Sequence, residues 1–281
     1  ESRKNVTNTQ LKNGLNLILI ENHSSPMTAS VVTVNAGSMN ETREINGISH
    51  MLEHLLFNGT TKRTQEQLYH EQDYYGIYNN AHTDRDYTNY IVLAERDFFE
   101  KALDIQSDML FHSIFPDDKF EKEKGIILNE LARDSSNDAY WAEEFFNRKF
   151  FHGTPYNLTI LGTPSSIKQI TKKQVIKFYQ TYYKPNNMTA LVMGDFEPKA
   201  MTVLFEKYFG SISPGRIPEH EAYQVNSSIM GNTYSQNIQS KNIYLNLGIV
   251  APNVDDQHFY AFDLLVKILN LHMKNNLNDR L

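Results

Sequence analysis

The stretch NGISHMLEHLLFNGT, Asn46 to Thr60, decides how the rest of the chain is read. Its apolar residues recur at helical spacing and predict a helix over residues 46–57. On a wheel of roughly 100° per residue, His50, Glu53 and His54 share one sector, and Ile45, Ile48, Leu52, Leu55 and Leu56 occupy the opposite one. Imidazoles at i and i+4 stand one above the other, the spacing two histidines need to share a metal ion. Glu53 flanks them without being forced to coordinate, and such a carboxylate can take a proton from water activated by a metal. The competing reading is a polar face that is simply solvated, as on any surface helix.

A second stretch bears on that choice. In DDKFEKEKGIILNELARD, Asp117 to Asp134, Glu123 and Glu130 lie seven residues apart, in the stripe formed by Phe120, Ile126, Ile127 and Leu131. Both carboxylates are therefore expected to point into the core. An ionised carboxylate buried without a partner costs several kcal/mol, so a cation or hydrogen-bond donors must meet each one. A metal with its histidines would suffice, as would a buried Lys or Arg.

These residues together resemble the inverted-motif (HxxEH) zinc peptidases of the pitrilysin, insulinase and mitochondrial processing peptidase type. GISHMLEHLLFNGT is similar to their signature, and Glu130, 76 residues after His54, matches the position of their third ligand. NNAHTDRDYTNY, PYNLTILGTPSSI and FYQTYYKPNNMTALVMGDF resemble later landmarks of the family in the right order, so the likeness covers residues 10 to about 210. The resemblance implies one Zn2+ per chain held by His50, His54 and Glu130, Glu53 as general base, and Glu123 accepting the other ring N–H of a ligand imidazole. It also implies that Asn80, Ala81 and Thr83 lie on a strand whose edge pairs with an extended peptide substrate. The implied fold is α+β, a mostly antiparallel sheet covered by helices, and the implied activity is zinc-dependent endopeptidase hydrolysis.

The bulk composition agrees with a globular enzyme and excludes other classes. Of 281 residues, 40% are hydrophobic and 21% charged, which suits an ordinary folded domain. A net charge of -6, with no Lys/Arg cluster, disfavours nucleic acid as a partner. No apolar run approaches the roughly 18 residues of a membrane span. With no cysteine, any metal must rely on His and carboxylates. Sequons occur at Asn5, Asn40, Asn58, Asn157, Asn187 and Asn226, but the chain is Asn-rich, and a glycan on Asn58 would obstruct the motif.

Along the chain, Asn13-Gly14 predicts a hairpin turn and TASVVTVNAGS a second strand, and YNNAHTDRDYTNYIVLAE returns to strand chemistry. Helices are expected over 64–75 after a Thr64 cap, and over 97–114, 117–133, 139–150, 165–181 and 197–209, with NMTALVMGD as a strand. The aromatic stripes at 144–151 and 178–183 read as core, and His82 and Tyr87 receive no role. Prolines and glycines near Gly215 suggest domains at 1–215 and 229–281 joined by a linker at 216–228. In the second unit, NIYLNLGIVAP reads as a strand and the segment from Asp255 as one long helix, the beginning of a further α+β domain. That unit is too short for a sheet domain, so the expected partners are the C-terminal half of the same protein or a separate homologous subunit. A non-catalytic subunit that keeps the metal site is the alternative function.

Overall fold

The computed structural model describes residues 5–219, 223 and 231–278. Strands β1 (Val6–Gln10) and β2 (Asn16–Glu21) form an antiparallel hairpin whose turn requires Gly14, at φ +89°. A Cβ there would come within 2.7 Å of Asn186 Cβ. After β3 (Met27–Val34), helix α1 (Ile48–Leu55) and helix α2 (Gln65–Tyr75) precede a second hairpin, β4 (Tyr78–Thr83) and β5 (Thr88–Glu95). Five helices follow: α3 (Phe99–His112), α4 (Asp117–Asp134), α5 (Asp138–Phe150), α6 (Pro164–Gln169) and α7 (Lys172–Tyr182). Strand β6 (Met188–Gly194), helix α8 (Pro198–Phe209) and helix α9 (Phe259–Asn278) complete the order.

The six strands form one sheet in the order β1-β2-β6-β3-β5-β4. Every pairing is antiparallel except β2 with β6, so the mostly antiparallel α+β expectation holds. Alternation along the strands sends Leu17, Leu19, Val32, Val34, Tyr90, Val92, Ala190 and Val192 into the core. The opposite face carries half-buried Ile18, Val31 and Ile91, with Leu191 and Met193 exposed. β4 is an edge strand, and α1 packs beside it.

Some expectations change. The helix expected over 165–181 is two, because Thr171 caps α7, accepting from Gln174 N, after α6 has ended. The strand expected in NIYLNLGIVAP is absent among the described residues: that segment pairs with no strand, and Asn246 instead donates to Ala142 O of α5. The stripe at 178–183 is core, with Phe178, Tyr182 and Tyr183 buried, but Phe145, Phe146 and Phe150 are half-buried. They line a cavity of about 780 Å³ between α5 and residues 231–248. Of the expected linker, residues 220–222 and 224–228 lie outside the described residues.

Candidate metal centre

Helix α1 starts in a tight corner. Gly47, at φ +94°, leads into it, and a Cβ there would meet Ile167 Cδ1 at 2.6 Å and Leu161 O at 2.9 Å. Three of the groups at this start bond to the buried Glu41 carboxylate: Gly47 N–H at 2.7 Å, Asn46 Nδ2 at 2.8 Å and Ser49 N–H at 2.9 Å. A helix N-terminus exposes unpaired N–H groups and favours an anion, so Glu41 satisfies the backbone and meets the dipole. Met51, Leu52 and Leu55 then seat one flank in the core. Contrary to a solvated polar face, the other flank is covered too: His50 is only 9% exposed.

That covered flank faces α4. His50 Nε2 and His54 Nε2 lie 3.2 Å apart, and Glu130 Oε2 stands 3.5 Å from the second and 3.8 Å from the first. A point about 2.0 Å from all three atoms exists at the centre of a triangle with those edges, and this is the length of Zn–N and Zn–O bonds. The residues therefore fit a zinc ion, which His50, His54 and Glu130 would hold as three protein ligands. Glu123 is buried as expected, with no Lys or Arg bonded to it among the described residues: Oε2 meets His54 Nδ1 at 3.1 Å and Oε1 accepts from Asn58 Nδ2 at 3.0 Å. Glu130 departs from expectation. Its side chain is 28% exposed, half-buried beside the histidines and not enclosed in the core.

Burial, then repulsion by His54 and His82, press the His50 pKa down to about 3, so this ring is neutral and offers a lone pair. Burial also opposes charge on His54, but the Glu123 bond and the nearby Glu130 and Glu53 carboxylates outweigh it and raise its pKa. For Glu123 burial acts upward, yet the bonds from His54 and Asn58 prevail and hold it below the usual carboxylate range. The Glu53 carboxyl is raised, chiefly by burial, against the lowering effect of the Thr83 hydroxyl and His54. Thr83 Oγ1 donates to Glu53 Oε2 at 2.5 Å, and Thr88 Oγ1 donates to Thr83 Oγ1 at 3.4 Å.

Thr83 is thus brought to the centre by its side chain. Asn80 and Ala81 lie farther along the β4 edge, where Asn80 Oδ1 accepts from Ala81 N–H and Asn80 Nδ2 donates to Tyr78 OH. The sequence reading missed Asn58, although its place four residues after His54 puts it on the same helical face, and it missed Glu41, for which no local pattern gives a signal. Among the described residues a second set, Glu21, His23 and Glu197, also comes within metal-binding range. There both ring nitrogens of the exposed His23 already meet carboxylates, of Glu21 and Asp195, as in an ion pair.

Comparison with known proteins shows the family. The model of the insulinase family (peptidase family M16) matches residues 16–164, more than half of the chain. The chain belongs to that family. Residues 169–281 match the model of the peptidase M16 inactive domain, so a second family domain begins within the chain. An uncharacterized zinc protease of Rickettsia felis is 29% identical over 276 residues, covering 98% of this chain and 66% of its own length. The mitochondrial-processing peptidase subunit beta of Caenorhabditis elegans is 31% identical over 207 residues, covering 74% of this chain and 45% of its own length. Among solved structures, a protease from Helicobacter pylori superposes with a TM-score of 0.73 at 25% identity, over 78% of this chain and 53% of that one. The chain spans about two-thirds or less of these relatives. The resemblance read from HMLEH and its landmarks is the family these matches assign, with its hydrolase and zinc-protease character.

Proposed function

We propose that this chain is the metal-binding part of a zinc-dependent endopeptidase acting on short or unfolded peptides. The observation that carries the reading is the meeting of His50, His54 and Glu130 donor atoms within 4.8 Å of one another, beside a half-buried Glu53 that is not one of the three. In this reading those three residues hold the ion and Glu123 orients His54. Zinc bound there supplies a Lewis acid that acidifies water and polarises a carbonyl. Glu53 accepts the proton of the attacking water and later delivers it to the leaving amine. Thr83, bonded to Oε2, holds the carboxylate and leaves its other oxygen for the proton. An extended peptide adds to the sheet along the open β4 edge, its main chain pairing near Asn80, Ala81 and Thr83.

The rest of the cleft comes from the C-terminal half of the same protein or from a separate homologous subunit, and the division into 1–215, a linker and 229–281 belongs to the same proposal. The test is turnover of a quenched peptide library by the completed enzyme and its Glu53→Gln variant. We expect a loss of about 10²-fold or more with zinc still bound; undiminished turnover removes Glu53 from the role. The second reading, a non-catalytic subunit with a retained metal, is favoured by the match of residues 169–281 to an inactive-domain model. Bound zinc with no turnover after mixing with candidate partner subunits selects it.

A further inference from the structure

Asn58, just beyond the C-terminal end of α1, is 2% exposed, and its amide is committed on both sides. Nδ2 donates to Glu123 Oε1 at 3.0 Å and to the His54 carbonyl at 3.1 Å, while Oδ1 accepts from Gln65 Nε2 at 2.5 Å. Gln65, the first residue of α2, is itself fixed, since its Oε1 accepts from Lys119 Nζ at 2.6 Å. The loop that carries Asn58 is anchored at its far end. Arg63 is paired to Asp104, Asp108 and Glu71, and Thr60 Oγ1 donates to Asp108 at 2.7 Å. Among the described residues, the Glu123 carboxylate has two hydrogen-bond partners, Asn58 on one oxygen and His54 on the other.

We infer that Asn58 is a positioning residue of the metal centre, fixing the Glu123 carboxylate so that His54 keeps its proton on Nδ1 and turns the lone pair of Nε2 toward His50 and Glu130. The inference rests on reading His54 as a metal ligand. Glu123 reaches the ring from α4 through a flexible side chain, and a donor on Oε1 selects the rotamer in which Oε2 meets Nδ1. The ring nitrogen that carries the proton is set by the hydrogen bond it makes, and loss of such an outer partner weakens metal binding. The role requires an amide. An aspartate of the same shape would set an oxygen against Glu123 Oε1, and like charges would push the carboxylate off the ring.

The donor sense can be reversed. With Asn58→Asp and Glu123→Gln together, the new Gln amide can donate to the new Asp while its carbonyl still accepts from His54 Nδ1–H. The experiment is zinc affinity by chelator competition on the full chain, with thermal unfolding of the zinc-free proteins and the visible spectrum of the cobalt-loaded ones alongside. We expect N58D and E123Q each to weaken zinc by about 10–100-fold, and the double variant, whose new carboxylate still faces the His54 carbonyl oxygen, to recover part of that loss together with the parent cobalt spectrum. Should N58D not fold, N58A, which removes the donor without adding charge, is expected to show the same weakening. Parent-like affinity in the single variant at Asn58, or a double variant that loses the product of the two single effects, overturns the proposal. A parent chain that binds no zinc overturns the metal reading itself, and this inference falls with it.

Discussion

Thr83 shows how a residue can be legible in position and illegible in role. Its place on a strand matching a substrate-binding motif could be read from NNAHT, but its hydroxyl bonds to Glu53, thirty residues earlier, and no local pattern reports that contact. The side chain is 3% exposed, so its contribution is made inward, to the proposed base, while the β4 main chain lies at the sheet edge. Thr83→Val keeps the shape and removes the donor. We expect kcat to fall about tenfold, ~1.4 kcal/mol of barrier, with KM little changed, and Thr83→Ser to restore it; steady-state kinetics of the completed enzyme check this, and a change confined to KM would assign Thr83 to substrate binding instead. That His50 and His54 stand together could be read from their spacing along one helix, and Glu130 joins them as the resemblance implied. Asn58 and Glu41 could not be read, since a polar residue that serves a neighbour's orientation leaves no periodic trace.

Among the elements, α1 is short, and its placement depends on what holds its start. Glu41 satisfies the main-chain N–H groups of Gly47 and Ser49 from a buried position, and burial lifts its pKa from 4.5 to about 7 against the lowering effect of those donors. The folded chain therefore binds a proton more readily than the unfolded one between those two values. A raised folded pKa means that Glu41 favours the fold fully below about pH 4.5 and loses that contribution as pH rises through 7. The effect is at most roughly 3 kcal/mol. Glu41→Gln resembles the protonated acid, so urea unfolding at pH 5 and pH 8 should show a flatter dependence in the variant than in the parent; equal slopes would remove Glu41 as the titrating group. Helices with strong caps, such as α2 behind Thr64, could be read from the sequence, and the division of α6 from α7 follows the same rule applied at Thr171. The segment 242–252 has strand chemistry but lacks a strand to pair with among the described residues, and alternation alone cannot supply one.

Over the whole molecule, the sheet order could not be read from local patterns, because β6 enters between β2 and β3 from more than 150 residues away. That insertion closes one core under the helices, and α1, packed on α4 and β4, carries two of the three candidate metal ligands. An ion held by the proposed set would link residues 50 and 130, far apart in the chain, so its binding would stabilise the folded state by mass action while the unfolded chain holds no such site. At a free zinc concentration a thousandfold above Kd the gain is about 4 kcal/mol, read as a concentration-dependent rise in the unfolding temperature by calorimetry. His54→Ala is expected to abolish the rise, since it removes one ligand and strands Glu123. His23→Ala is expected to leave it intact, because His23 is already satisfied in an ion-pair cluster; a rise lost in His23→Ala and kept in His54→Ala would move the metal centre to the C-terminal end of β2.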